Sequence, residues 1–115
     1  RTIENAGFVM NDAIVVERKL DKKLLELNSR GFLNGHTPFS ALLTFVTSLT
    51  AVMAGINYIA LSNESSANES TVPGSNINHQ YSKSFEFEED FSNYLSRFIT
   101  PDVHYFSFLR PLNEL

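Results

Sequence analysis

The sequence predicts an α/β domain built on a parallel sheet, and three observations carry that expectation. Short apolar runs at 13–16, 58–61 and 103–109 alternate with stretches of helical periodicity, the order that winds strands in parallel through right-handed crossovers. The run at 58–61 is apolar without alternation, as a parallel strand covered on both faces should be. Cap and stop residues bracket each helical stretch.

The run at 13–16, continued by Glu17 and Arg18, reads as the first strand. Asp21 then stands where a carboxylate caps a helix over 22–30, with Gly31 placed to end it. Thr37 and Pro38 give a stronger start: a hydroxyl cap, then a residue whose fixed φ suits the first helical position. Phe39, Leu42, Leu43, Val46, Leu49 and Met53 recur at helical spacing up to Gly55. Phe45 and Val52 make that helix apolar on further faces, which predicts burial between other elements.

Residues 58–61 follow as a strand. From Ser62 to Asn78 the composition turns to Ser, Asn, Glu, Thr, Gly and Pro, a long loop of the kind that often carries function. A helix resumes near Ser84, with Phe87, Phe91, Tyr94, Leu95 and Phe98 predicted on its core face. Glu86, Glu88 and Glu89 lie at its start and Arg97 near its end, each sign matching the helix dipole. Pro101 stops it. The last strand runs over 103–109, with His104 expected to pack and Tyr105, Phe106 and Phe108 expected in the core.

Composition narrows the function. The 115 residues, 43% hydrophobic and 19% charged, suit one globular domain. A net charge of −4 argues against a nucleic-acid binder, and the absence of Cys removes thiolate metal sites and thiol nucleophiles. No charged residue occurs between Arg30 and Glu64. The hydroxyls within that stretch and the break at Gly55 favour a buried helix and strand over a membrane span. The expectation is a soluble, cytoplasmic protein. The start at Arg1 reads as the start of a piece of a longer chain.

The winding brings four polar segments to the carboxyl edge of the sheet, where open α/β sheets bind ligands. These are the turn with Gly35, His36 and Thr37, the loop with Ser62, Asn63, Glu64, Ser65 and Glu69, the segment Asn78, His79, Tyr81 and Lys83, and Arg110. Free amides at the helix start after Thr37 attract phosphate or carboxylate. Glu64 and Glu69, beside hydroxyls and amides, suit a hard cation such as magnesium. His79, Tyr81 and Lys83 could supply an acid, a base and an anion clamp. Each segment taken alone also reads as an ordinary capped turn or solvated loop. The three histidines have no zinc spacing, and neither common glycine-rich phosphate motif occurs.

These same segments, Asn-Gly-His-Thr-Pro-Phe-Ser-Ala-Leu-Leu at 34–43, Leu-Ser-Asn-Glu-Ser-Ser-Ala-Asn-Glu at 61–69, Asn-His-Gln-Tyr-Ser-Lys-Ser-Phe-Glu-Phe-Glu at 78–88 and Tyr-Phe-Ser-Phe-Leu-Arg-Pro-Leu at 105–112, resemble the UDP-N-acetylmuramoyl-L-alanyl-L-glutamate epimerases. The resemblance implies a Rossmann-like, ATP-pyrophosphatase-type domain, here a piece lacking the amino-terminal nucleotide-binding loop. It implies ATP and Mg2+, a nucleotide-linked muramyl dipeptide as substrate, and conversion of its terminal L-glutamate to the D form in peptidoglycan precursor synthesis. It makes His79, Tyr81 and Lys83 the catalytic candidates and Glu64 and Glu69 the metal candidates. Gly35, His36, Thr37, Ser62, Asn63, Ser65, Asn78 and Arg110 become candidates for holding substrate or phosphate. Another adenylating ligase or thiolase of that group, or a non-catalytic interaction domain, are the alternatives. The expected outcome for the 115-residue chain by itself is no ATP-dependent pyrophosphate release, which a coupled phosphate assay checks.

Overall fold

The computed structural model describes residues 2–32 and 38–112, in two compact units spanning residues 1–35 and 36–115. The first unit holds a short helix α1 (Thr2–Asn5), a single turn at Met10–Asp12 and helix α2 (Lys22–Ser29). Asp21 caps α2 as expected, its Oδ1 accepting from the Lys23 amide at 2.7 Å. Gly31, at φ +80°, closes it: the Gly31 and Phe32 amides turn back to the carbonyls of Asn28 and Leu27. The strand expected at 13–16 does not form. Ile14, Val15 and Val16 are exposed, Val15 by 76%, and no other strand exists among the described residues of this unit to pair with it. Propensity without a partner leaves extended chain.

The second unit holds helix α3 (Phe39–Ala54), strand β1 (Tyr58–Leu61), helix α4 (Phe85–Tyr94) and strand β2 (His104–Ser107). The strands pair in parallel, Tyr58 with His104 through Leu61 with Ser107. The unit is thus a mixed helix–strand structure on a small parallel sheet. Gly55 ends α3 at φ +67°, and the Ile56 amide returns to the Ala51 carbonyl at 2.9 Å. Ser84 caps α4 through the Phe87 amide. The helix then widens into a π-helical turn at Leu95–Ile99 before Pro101.

Burial within α3 corrects the expectation from its composition. One stripe is buried, Thr44, Ser48 and Ala51, while Phe39, Phe45, Leu49, Val52 and Met53 are exposed. The small side chains let the helix lie close to its neighbours, whereas Phe45 reaches round the edge to meet Phe91 edge-on at 5.0 Å. The hydroxyls tolerate burial because they return to their own helix: Thr44 to the Ser40 carbonyl and Ser48 to that of Thr44, each at 2.8 Å. No helix among the described residues is long and apolar enough to cross a membrane.

The core is Ala51, Ile59, Phe91, Leu95, Val103 and Tyr105, with Leu61 and Phe87 packed against it. On α4, Phe91 and Leu95 are buried as expected, but Tyr94 and Phe98 are exposed. The buried face runs through 84, 91 and 95, with Glu88 half-buried on it. Strand alternation corrects the last strand: Val103, Tyr105 and Ser107 face inward, and Phe106 and Phe108 outward. His104 is likewise outward, and it stacks on Tyr58 at 5.4 Å instead of packing in the core.

Leu95 is 1% exposed at the centre of this cluster. Leu95→Ala is expected to destabilise the fold by about 2–5 kcal/mol, read as a lowered midpoint in denaturant unfolding at unchanged slope.

Candidate functional site

Connections leave the carboxyl ends of β1 and β2 at one edge of the sheet, and there the polar side chains gather. Beneath that edge runs a buried network. Thr44 Oγ1 spends its proton on the Ser40 carbonyl, so across their 3.0 Å contact the Tyr105 hydroxyl is the donor. Asn63 Nδ2 donates to Ser107 Oγ at 3.1 Å, and the Ser107 amide donates to Glu88 Oε1 at 3.1 Å.

Arg110 joins these parts. Its Nη2 donates to Glu88 Oε2 at 2.7 Å and to Ser107 Oγ at 3.1 Å. Nη1 donates to the Glu64 carbonyl at 2.9 Å, and Nη2 also reaches the Lys83 carbonyl at 3.1 Å. The guanidinium lies over the Phe85 ring, 5.9 Å from its centroid. Its Nε–H is buried without a partner. The loop after β1, the turn before α4 and α4 itself are therefore all tied to one side chain at the end of β2.

The ion pair is largely buried, with 17% and 13% of the Arg110 and Glu88 side chains exposed. Burial pushes the Glu88 carboxyl up, but hydrogen bonds from Arg110 and Ser107 outweigh it and hold the group below its ordinary range. Burial raises the Tyr105 hydroxyl. Tyr81 is raised as well, first by its hydrogen bond to Asp90 Oδ2, at 2.9 Å.

Two clefts open on either side of the loop that leaves β1. The smaller, about 300 Å³, lies between that loop, the start of α3 and the turn before α4. Ser62, Asn63, Glu64 and Lys83 line it together with Ser40, Ser66 and Gln80. The larger, about 980 Å³, lies between the Ser/Asn-rich loop and the start of α4. Ser65, Asn78, Tyr81 and Arg110 line it with Asn68, Asn76 and Phe85.

Three of the four polar segments thus meet as the winding requires, and Phe39 and Ser40 bring the start of α3 to the same edge. Gly35, His36 and Thr37 lie outside the described residues. His79 and Glu69 are exposed and stand outside both clefts. The His79 amide donates to Thr71 Oγ1 at 2.8 Å. Among the described residues no three His, Asp or Glu side chains gather into a metal-holding group. Glu64, a single carboxylate among hydroxyls and amides, is a donor set for a cation whose other ligands come from phosphate and water.

Sequence reasoning gives Glu88, Ser107, Thr44 and Tyr105 no role in the site: it reads Glu88 as matching the helix dipole and Tyr105 as core. A signal was present: Ser84, Glu88, Phe91 and Leu95 stand four, three and four residues apart, one face of a helix. A carboxylate on a core-facing stripe needs a cation, and Arg110 follows the last strand.

A family model described as the MurL N-terminal domain matches residues 3–108. Three curated relatives carry the name UDP-N-acetyl-alpha-D-muramoyl-L-alanyl-L-glutamate epimerase. The one from Xanthomonas oryzae pv. oryzae is 41% identical over 102 residues, covering 87% of this chain and 23% of the relative. That from Salinispora tropica is 37% identical over 105 residues, 90% of this chain and 23% of the relative. A Micromonospora protein is 36% identical over 104 residues, 89% and 23% respectively. The chain therefore spans about a quarter of the length of the curated relatives it matches. No solved structure matches it.

The lowered Glu88 carboxyl fixes the sign of an acid effect. Its stabilisation is present above the ordinary value of 4.5 and is lost as pH falls through the lower folded-state value. Unfolding free energy is expected to fall over that acid window, with a shallower fall in Glu88→Gln. Glu88→Ala, which strands Arg110, should cost about 3 kcal/mol at neutral pH. Denaturant titrations across pH check both.

Proposed function

The chain belongs to the MurL N-terminal domain family, and from that premise we propose that the protein it forms part of inverts the terminal glutamate of UDP-N-acetylmuramoyl-L-alanyl-L-glutamate, at the expense of ATP. The main support is coincidence: the segments that line the two clefts lie within a match to relatives named for that epimerisation. In this reading residues 58–112 supply the carboxyl edge of a Rossmann-like, ATP-pyrophosphatase-type sheet, in a cytoplasmic enzyme of peptidoglycan precursor synthesis.

An ionised carboxylate makes the neighbouring α-hydrogen a very weak acid. Attack of a glutamate carboxylate oxygen on the α-phosphorus of ATP expels pyrophosphate and leaves an acyl adenylate without that negative charge. A side-chain base then removes the α-proton, a second group returns a proton to the opposite face, and water splits the mixed anhydride into carboxylate and AMP. Two proton-transfer groups on opposite sides of the α-carbon are needed.

Tyr81, which lines the larger cleft, is assigned one of the two proton-transfer parts; at rest its hydroxyl donates to Asp90 Oδ2 at 2.9 Å, so it serves substrate only by turning from that carboxylate. Lys83 and the start of α3, where the Pro38 side chain makes no capping bond, are assigned the anion-holding wall of the smaller cleft. His79 remains the candidate for the second proton-transfer group, on the turn that also carries Tyr81 and Lys83. Magnesium, when bound, screens phosphate charge, and Glu64 with Ser62 and Asn63 is the donor set that fits it.

The full-length protein, incubated with the nucleotide-linked dipeptide and ATP in deuterium oxide, is expected to place deuterium at the glutamate α-carbon while releasing AMP and pyrophosphate. A stable amide or thio product without α-exchange would overturn the epimerase reading in favour of another adenylating enzyme. Tyr81→Phe is expected to lower the exchange rate on the order of 10²-fold, measured by mass spectrometry of the recovered glutamate.

A further inference from the structure

We infer that the larger cleft holds the N-acetylated sugar of the substrate, an assignment that rests on the function proposed above. Each cleft carries one carboxylate and one cation, Glu64 with Lys83 in the smaller and Glu86 with Arg110 in the larger, and they differ in whether that cation is already paired. At the start of α3 no side chain of Pro38 caps the helix and no acidic residue stands in its first turn, while Lys83 faces the same cleft. That wall favours anions. At the start of α4 the opposite holds: the Phe85 amide is taken by Asn68 Oδ1 at 2.6 Å, the Phe87 amide by Ser84 Oγ at 3.1 Å, and the Glu86 carboxylate lines the cleft. Its one cation, Arg110, is already paired with Glu88. A diphosphate would meet a carboxylate there and few free amides.

Beyond Glu86 and the paired Arg110, what the larger cleft offers is neutral. The Asn76 side chain and the Asn68 Nδ2 make no hydrogen bond among the described residues, and both line it. Phe85, a residue 46% exposed, lines it with its ring. An aromatic ring presents an electron-rich face, against which the C–H face of a pyranose packs. Primary amides give a donor and an acceptor side by side, matching neighbouring sugar hydroxyls or an acetamido group. The volume of about 980 Å³ is ample for a sugar ring, given ligand sites of about 300–1,000 Å³.

The test titrates the full-length protein with methyl N-acetyl-α-D-glucosaminide and, separately, with uridine diphosphate, following both by saturation-transfer NMR. Asn76→Ala and Phe85→Ala are expected to weaken the glycoside about three- to tenfold, the loss of one neutral hydrogen bond or comparable contact, and to leave uridine diphosphate unchanged. Asn76→Ala decides the matter, because Phe85 also supports Arg110 and its removal can disturb the fold. Glycoside affinity unchanged in Asn76→Ala, or weakened together with that for uridine diphosphate, overturns the assignment. Deuterium exchange at the glutamate α-carbon by the unaltered protein is read separately, so failure of the epimerase reading shows up there.

Discussion

The contact between Arg110 and Glu88 is the constraint on which the rest of the second unit depends. β2 ends at Ser107, and three residues later a guanidinium turns back across the edge of the sheet. It fixes where α4 begins relative to the strand it leads into, and it gathers the carbonyls of Glu64 and Lys83 from two connections that share no secondary structure. A pair this buried gives up much of its hydration, so Coulomb attraction alone leaves a small net gain. The remaining lone pairs must be filled. Ser107 does so for Glu88, and the Phe85 ring covers the guanidinium face. The orphaned Nε–H is the one part left uncompensated.

The opposite wall solves a related problem with neutral groups. α3 presents Thr44, Ser48 and Ala51 to its neighbours, so the helix axis can come close, and close approach brings Thr44 within reach of the Tyr105 hydroxyl. A larger residue at Ser48 or Ala51 would hold the helix away and leave that hydroxyl buried without an acceptor, at a cost of about 1–3 kcal/mol. The polar stripe is thus part of the packing.

Much of this architecture is legible in the sequence. The cap at Asp21 and the stops at Gly31 and Gly55 act locally, through a side chain and an amide two residues away or through one backbone angle, and all three work as read. The run at 58–61 forms the parallel strand expected, but Ile59 alone is buried and Tyr58 is exposed, because the two-stranded sheet is covered on one face and not on both; the carboxyl-edge convergence follows from winding rules. What could not be read is long-range. The run at 13–16 has the composition of a strand and no partner. The aromatic residues of α4 mark a stripe, but partners on other elements select the adjacent one, with Ser84, Glu88, Phe91 and Leu95. Exposure of Phe106, Phe108 and His104 follows from alternation on a sheet with helices packed on one face, which composition does not reveal.

One consequence of the Arg110 geometry bears on chemistry. The guanidinium takes backbone carbonyls from Glu64 and Lys83 and leaves both side chains unused. A cage built on side chains would have consumed the Glu64 carboxylate that faces the smaller cleft. Built on carbonyls, it holds both segments in place and frees their charged ends. The same economy applies to Asn68, whose Oδ1 caps the start of α4 while its Nδ2 stays available to the larger cleft. Groups on irregular connections need fixed backbones to act with defined geometry, and here one arginine supplies the fixing for both sides of the loop.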